Sequence, residues 1–173
     1  MSKAVLYEGI KADLTNLSYT KADGTTDRIK TIALWRNQLE REYEEIPFLF
    51  PAVFIEFLTS NYNESSSKAY QTLNMTVRLH ICFESYKTED LDILILTQEI
   101  YSALQQKSYS NTNMHFGVMK RRNEEQNFDH PNIQDFIQDY EVSQAKDYGA
   151  DARPSTPTTV DTLIITPEVH KTL

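Results

Sequence analysis

Cysteine, glycine and basic charge are scarce in this chain, and each shortage removes a class of function. Its 173 residues include one cysteine, Cys82. No intramolecular disulfide framework can form, and a lone thiol fits a reducing compartment. Four glycines in the whole chain leave no glycine-rich loop to cradle a phosphate. Lys and Arg number 17 against 25 Asp and Glu, a formal net charge of −8. That balance argues against a protein that wraps nucleic acid, because such binding rests on clustered cations that neutralise phosphates. The one basic run, Lys120–Arg122, is closely followed by Glu124 and Glu125 and reads as an ordinary strand end. No apolar stretch is long enough to cross a bilayer. The N-terminus, MSKAVLYEGIKADL, is broken by polar residues every few positions, unlike the apolar centre of a signal peptide. Without a secretory route, the sequons at Asn16, Asn63 and Asn74 are chance matches.

What is present points to a folded domain. Hydrophobic residues make up 40% of the chain, with ten tyrosines and eight phenylalanines, so the composition is globular. A chain of this length suits one domain that buries roughly 70% of its unfolded surface. Leu6, Ile10, Leu14 and Leu17 recur every three or four residues and predict an amphipathic helix. Thr20–Asp27 reads as a turn around Ala22–Gly24, and Ile29–Trp35 as a strand. Asn37–Ile46 is polar, either a helical turn or an exposed hairpin arm. Pro47 and Pro51 deny helix and ladder hydrogen bonds at their positions, so Ala52–Leu58 is the strand that follows an extended lead-in. Residues 61–68, NYNESSSK, read as a flexible loop tip.

From Leu73 to Phe83 every odd position is apolar, while the even positions carry Asn74, Thr76, Arg78, His80 and Cys82. This period of two predicts an antiparallel strand with one face on a core and the other wet or against a partner. Thr88 is positioned to cap a second helix, with Leu91, Leu94, Ile95 and Leu104 as its apolar repeat and its end near Gln105. Met114–Lys120 and Gln134–Val142 read as further strands, with a loop over Asn127–Asn132. The fold class expected is α+β, one mainly antiparallel sheet packed on two helices. Residues 1–146 form that domain. Residues 147–173 form a Pro/Thr-rich C-terminal extension that reads as a tether ending in the short apolar segment Leu163, Ile164, Ile165.

The residues expected to carry chemistry do not converge. His80 and Cys82 sit two apart on a strand, and His115 and His130 lie in other elements, with no compact metal-ligand spacing. Glu40, Glu42, Glu44 and Glu45 occupy an open polar run, where nothing desolvates a carboxylate. Ser65–Ser67 lack the glycine context of a nucleophile elbow. No catalytic residue, metal site or cofactor is therefore expected.

The stretch WRNQLEREYEEIPFLFPAVFIEF, the alternating strand ending in LHICFE and the helix LDILILTQEIYSAL together resemble the tail terminator (tail completion) family of long-tailed bacteriophages and prophages. The resemblance lies in the order of elements over about residues 1–142, and the extension after Asp147 departs from the compact family pattern. It implies a structural virion protein without a catalytic site. Such a protein assembles in the host cytoplasm as a hexameric ring on the tail tube, ends tube growth and joins the tail to the head connector. The implied partners are further copies of the chain, the tail tube protein and the connector protein. DNA only passes through, and no membrane is involved. The alternatives are another neck, connector or baseplate protein, or a small α+β enzyme or ligand-binding domain.

A ring subunit needs a surface for its neighbours. Asn37, Gln38, Leu39, Tyr43, Phe48 and Phe50 mark an arm whose apolar groups either rest on an adjacent subunit or fold back on their own sheet. Leu163, Ile164 and Ile165 are a second contact candidate, able to add to a sheet edge. Asp135, Asp139 and Glu141, on alternate positions of one strand, are candidates for an acidic lumen that repels DNA.

Overall fold

The computed structural model describes residues 2–40, 48–64, 71–111, 114–130 and 132–147. Helix α1 spans Ser2–Asn16. Its Leu6, Ile10 and Leu14, four residues apart, are all fully buried, as the spacing predicts. Strands β1 (Ser18–Thr20) and β2 (Thr26–Arg28) pair as a small hairpin, where the composition of Thr20–Asp27 predicts only a turn. Its bend uses Gly24 at φ 83°, a left-handed conformation that glycine adopts without a Cβ clash. The Asp23 carboxylate accepts the Thr25 N–H at 2.8 Å. Asp92 of the second helix accepts the Ala22 N–H at 2.8 Å and so docks the hairpin.

The main sheet comprises β3 (Thr31–Leu34), β4 (Ala52–Glu64), β5 (Gln71–Glu84), β6 (Ser110–Asn111), β7 (Met114–His115), β8 (Met119–Asn127) and β9 (Ile133–Asp147). Its order is β3-β4-β5-β9-β7-β6, with β8 also beside β9. Among the described residues only β3 and β4 run parallel; the other pairings are antiparallel. The α+β class with a mainly antiparallel sheet and two helices is thus what the chain adopts. Several boundaries move. β4 runs on through Asn61–Glu64, given above to a loop tip, because those polar residues pair by backbone with Gln71–Asn74 after a bulge between Phe57 and Ser60. Lys120–Arg122 lie inside β8, not at a strand end.

Helix α2 (Asp90–Leu104) ends where expected, but its N-cap is Glu89, with no side-chain cap bond. Thr88 is therefore not the cap. Asp90 and Asp92 instead put negative charge in the first turn, where it complements the helix dipole. The buried face is Ile93, Leu96, Ile100 and Leu104, whereas Leu91 and Leu94 are 55% and 57% exposed. The run Ile93–Leu96 offers more than one apolar stripe, and packing chose the stripe that excludes Leu94. α1 and α2 cover the sheet face carrying the odd residues of β5, with Val53, Ile55, Tyr140 and Val142 in the same core. After α2, the Tyr109 ring crosses α1 at Gly9, where a Cβ would meet it at 2.2 Å. The Tyr109 hydroxyl donates to Asp13 at 2.8 Å.

The opposite face was expected to be wet or partner-covered, yet its end near β3 carries a second, smaller core. Leu39, Ala52, Phe54, Cys82 and Ile133 are buried there, with Ala33, Trp35, Phe48 and Phe50 packed against them. The chain reaches this face through Asn37 at φ 57°, a conformation asparagine tolerates, and a 3-10 turn at Gln38–Glu40. It returns at Leu49, whose N–H donates to Thr31 Oγ1 at 3.1 Å.

Candidate functional site

The even residues of β5 stand among residues of β4 and β9 whose charges answer theirs. Arg78 is directly opposite Asp139, and Cys82 is opposite Asp135. His80 lies opposite Phe54 and Ile137, so its polar partners are the diagonal neighbours, which long side chains reach. Its Nδ1 is 3.0 Å from Asp135 Oδ2, and its Nε2 is 3.3 Å from Glu56 Oε2. The ring serves both carboxylates as a donor only with a proton on each nitrogen. Trp35 closes the site from above, stacked on the imidazole at 3.9 Å between centroids and 8° between planes.

Asp135 has no solvent exposure. Its second oxygen accepts from Cys82 Sγ at 3.8 Å. Arg78 holds Asp139 through two parallel bonds, Nε to Oδ1 at 2.8 Å and Nη2 to Oδ2 at 3.0 Å. That bidentate contact, with Glu125 at 3.7 Å, raises the guanidinium pKa further. On β8, Arg122 Nε donates to Glu141 Oε2 at 2.6 Å. His80 with Asp135 and Glu56, Arg78 with Asp139 and Glu125, and Arg122 with Glu141 thus lie across four strands.

A cysteine, a histidine and an aspartate in one place invite a nucleophilic reading, and the geometry opposes it. Burial, reinforced by the Asp135 charge, pushes the Cys82 thiol well up, and a thiol kept protonated is not a nucleophile. Its bond goes to Asp135, not to the imidazole that would take its proton. A cavity of about 280 Å³ lies elsewhere, between the β5–α2 turn and the β8–β9 loop, lined by Tyr86, Asn127, Phe128, His130 and Ile133 among others, with no carboxylate among its described lining residues. Among the described residues no group of three His, Cys, Asp or Glu is disposed to hold a metal.

The predicted contact residues separate. Gln38 closes a local turn, its amide oxygen accepting the Arg36 N–H and its Nε2 donating to the Leu34 carbonyl, each at 2.6 Å. Asn37 is exposed. Leu39 is buried in the second core, where Phe48 and Phe50 also pack. Of the two arrangements open for this arm, Leu39, Phe48 and Phe50 fold back on their own sheet, because Phe54, Cys82 and Ile133 offer an apolar floor there. Leu49, between the two phenylalanines, is 71% exposed and was not singled out. Tyr43, Leu163, Ile164 and Ile165 lie outside the described residues, as do Glu42, Glu44, Glu45, Ser65–Ser67 and the extension beyond Asp147.

Of the lumen candidates, Asp135 is sealed inside the subunit and Asp139 is 9% exposed and committed to Arg78, so neither faces a channel. Glu141 remains partly exposed beside Arg122. His115 is exposed and His130 lines the cavity, both away from His80. Trp35, Glu56 and Arg78 were missed as site residues. The signal for Arg78 was present: Arg78, His80 and Cys82 alternate on one strand as Asp135, Asp139 and Glu141 do on another.

No protein-family model and no curated protein matches the chain. A solved structure does: a chain of the "Virion of native gene transfer agent (GTA) particle" has a TM-score of 0.55 and 7% identity, with 83% of this chain and 96% of that chain covered. At that identity the likeness is one of fold. No helix among the described residues is long and apolar enough to cross a membrane.

Proposed function

We propose that the chain is a structural protein of a phage-like virion, a subunit of a hexameric ring at the head-proximal end of the tail tube. There it ends tube growth and joins the tail to the head connector. The observation that carries this reading is the fold shared with a virion chain over nearly the whole of that chain and 83% of this one. The tail terminator resemblance of residues 1–142 supports the ring position. The buried groups support a passive role: Cys82 is held as a thiol, and Asp139 and Asp135 are engaged by Arg78 and His80, which suits a rigid subunit and not an enzyme. Its partners are other copies of itself, the tube protein and the connector, and DNA passes without being read. The net charge of −8, with Glu141 at a partly exposed position, keeps such a passage repulsive to phosphate.

The test is to add the purified protein to its tail tube protein during tube growth. Tubes that stop lengthening and carry a ring at one end support the reading. Rings that leave tube growth unaffected but bind the connector favour another neck position. Tubes of unchanged length with no bound ring refute both.

A further inference from the structure

Two of the outer edges of the sheet, along β8 and along β4 beyond β3, are guarded unequally. β8 carries Lys120, Arg121, Arg122, Glu124 and Glu125 and a bulge between Arg121 and Asn123, devices that discourage another strand from adding. β4 is guarded less: a bulge between Phe57 and Ser60 precedes its open stretch, which carries the single charge Glu64. β3 pairs only with Ala52–Ile55. The chain then leaves the edge at Trp35, whose N–H makes a last bond to the Ile55 carbonyl at 2.9 Å while its ring turns onto His80. Farther along, Ser60–Glu64 pair with β5 on the inner side, and among the described residues no strand lies on the outer side. Alternate backbone groups of that stretch point outward. Its sequence, SNYNE, holds one charge, at its end, and no proline.

Asp147, the last described residue, stands opposite Gln71, which stands opposite Glu64. The chain therefore leaves the sheet in the same row as the open edge, two strand spacings away, about 10 Å. Fifteen residues separate Asp147 from Leu163, enough to span about 50 Å when extended. A return to the subunit's own edge needs only a handful of residues. The longer reach matches a neighbouring subunit, since a domain of this size has a radius of gyration of about 15 Å and centres in a ring are about 35–40 Å apart.

We propose that Leu163, Ile164 and Ile165 of one copy add as a short strand to the Ser60–Glu64 edge of β4 in the next copy. Backbone ladder bonds supply the attachment, and the β-branched Ile164 and Ile165 suit the extended pairing. Because the strap leaves one face and lands on a different one, the contact is heterologous and propagates until the ring closes. The inference rests on the ring reading for its copy number alone.

Cysteine pairs test it. In a Cys82→Ala background, Ile164→Cys is combined with Asn61→Cys or, separately, with Asn63→Cys, and the full chain is treated with a short bismaleimide. The expected result is a ladder of joined copies on a denaturing gel for at least one pair, with no product beyond a dimer for either single cysteine. Ile164→Pro, which removes a ladder N–H, should reduce assembled mass at least several-fold in light scattering with tube protein present. A link confined to single chains, or no link in protein whose mass shows it assembled, overturns the strap and leaves the ring standing. A ladder that stops at two copies keeps the strap and removes the ring. A monomer that never links, with tube protein present, removes both.

Discussion

Replacing His80 by leucine strands a charge. Asp135 has no exposure to water, and its remaining side-chain contact is the Cys82 thiol at 3.8 Å, a weak donor. Removing the hydrogen-bond partner of a buried carboxylate costs about 3–5 kcal/mol, mostly because the carboxylate is left unpaired. Loss of the Trp35 stack adds about 0.5–1.5 kcal/mol. Glu56 adds little, because its side chain is 31% exposed and water solvates it. The double substitution His80→Leu, Asp135→Leu removes the stranded charge with its partner, and apolar replacement of a buried pair is often near neutral. The double variant should therefore lie within about 2 kcal/mol of the parent, well above His80→Leu alone. Trp35 is the only tryptophan and sits on the imidazole, so urea unfolding of the subunit followed by fluorescence and by circular dichroism reads both the stack and the fold. A single variant that loses under about 1 kcal/mol, or a double variant whose loss equals the sum of the two single losses, refutes the reasoning.

Burial, with Asp27 and Asp92 nearby, pushes Tyr19 up to about 12, and burial raises Tyr109 and Tyr140 as well. Their folded forms hold the proton more tightly than the unfolded chain does. Their contribution to stability is thus complete below the unfolded value of about 10 and is lost as pH rises through the folded values. A spectrophotometric titration of native protein should show a late class of tyrosines, and release of all of them together near pH 10 would contradict the packing. The Cys82 thiol should ignore a thiol reagent at pH 7 until denaturant is added; rapid labelling of the native protein would show the site to be open. Leu91→Gln with Leu94→Gln should change stability by less than about 0.5 kcal/mol per site, whereas Leu96→Ala should cost about 2–5 kcal/mol, a contrast that reports which stripe of α2 is buried. Gly9→Ala should be destabilising by more than helix propensity predicts, since its methyl meets the Tyr109 ring. A neutral or stabilising result in thermal unfolding would show that the ring can shift.

Elements with a clean period were legible in the sequence, and those held by long-range contacts were not. Leu6, Ile10 and Leu14 and the alternation from Leu73 to Phe83 each name one face, and each lies where the period puts it. α2 defeated the same method because its apolar run is wider than one stripe. β4 beyond Leu58 and β9 beyond Val142 are strands because of register with β5, which composition does not encode. The second core was invisible for a related reason. Nothing local says that Leu39, Phe48 and Phe50 meet Cys82 and Ile133, which are distant in sequence. The acids of β9 illustrate the limit: alternation placed Asp135, Asp139 and Glu141 on one face correctly, but exposure depended on Arg78, His80 and the Trp35 lid.

The central claim is a position, a ring of this chain between tail tube and head connector. Cryo-electron microscopy of assembled particles, comparing wild type with a version carrying a small folded tag at the N-terminus, locates the chain directly. The account predicts extra density repeated six times around the tail axis at the head-proximal end of the tube and nowhere else. Tag density along the tube, at the distal tip, or absent from the particle contradicts it.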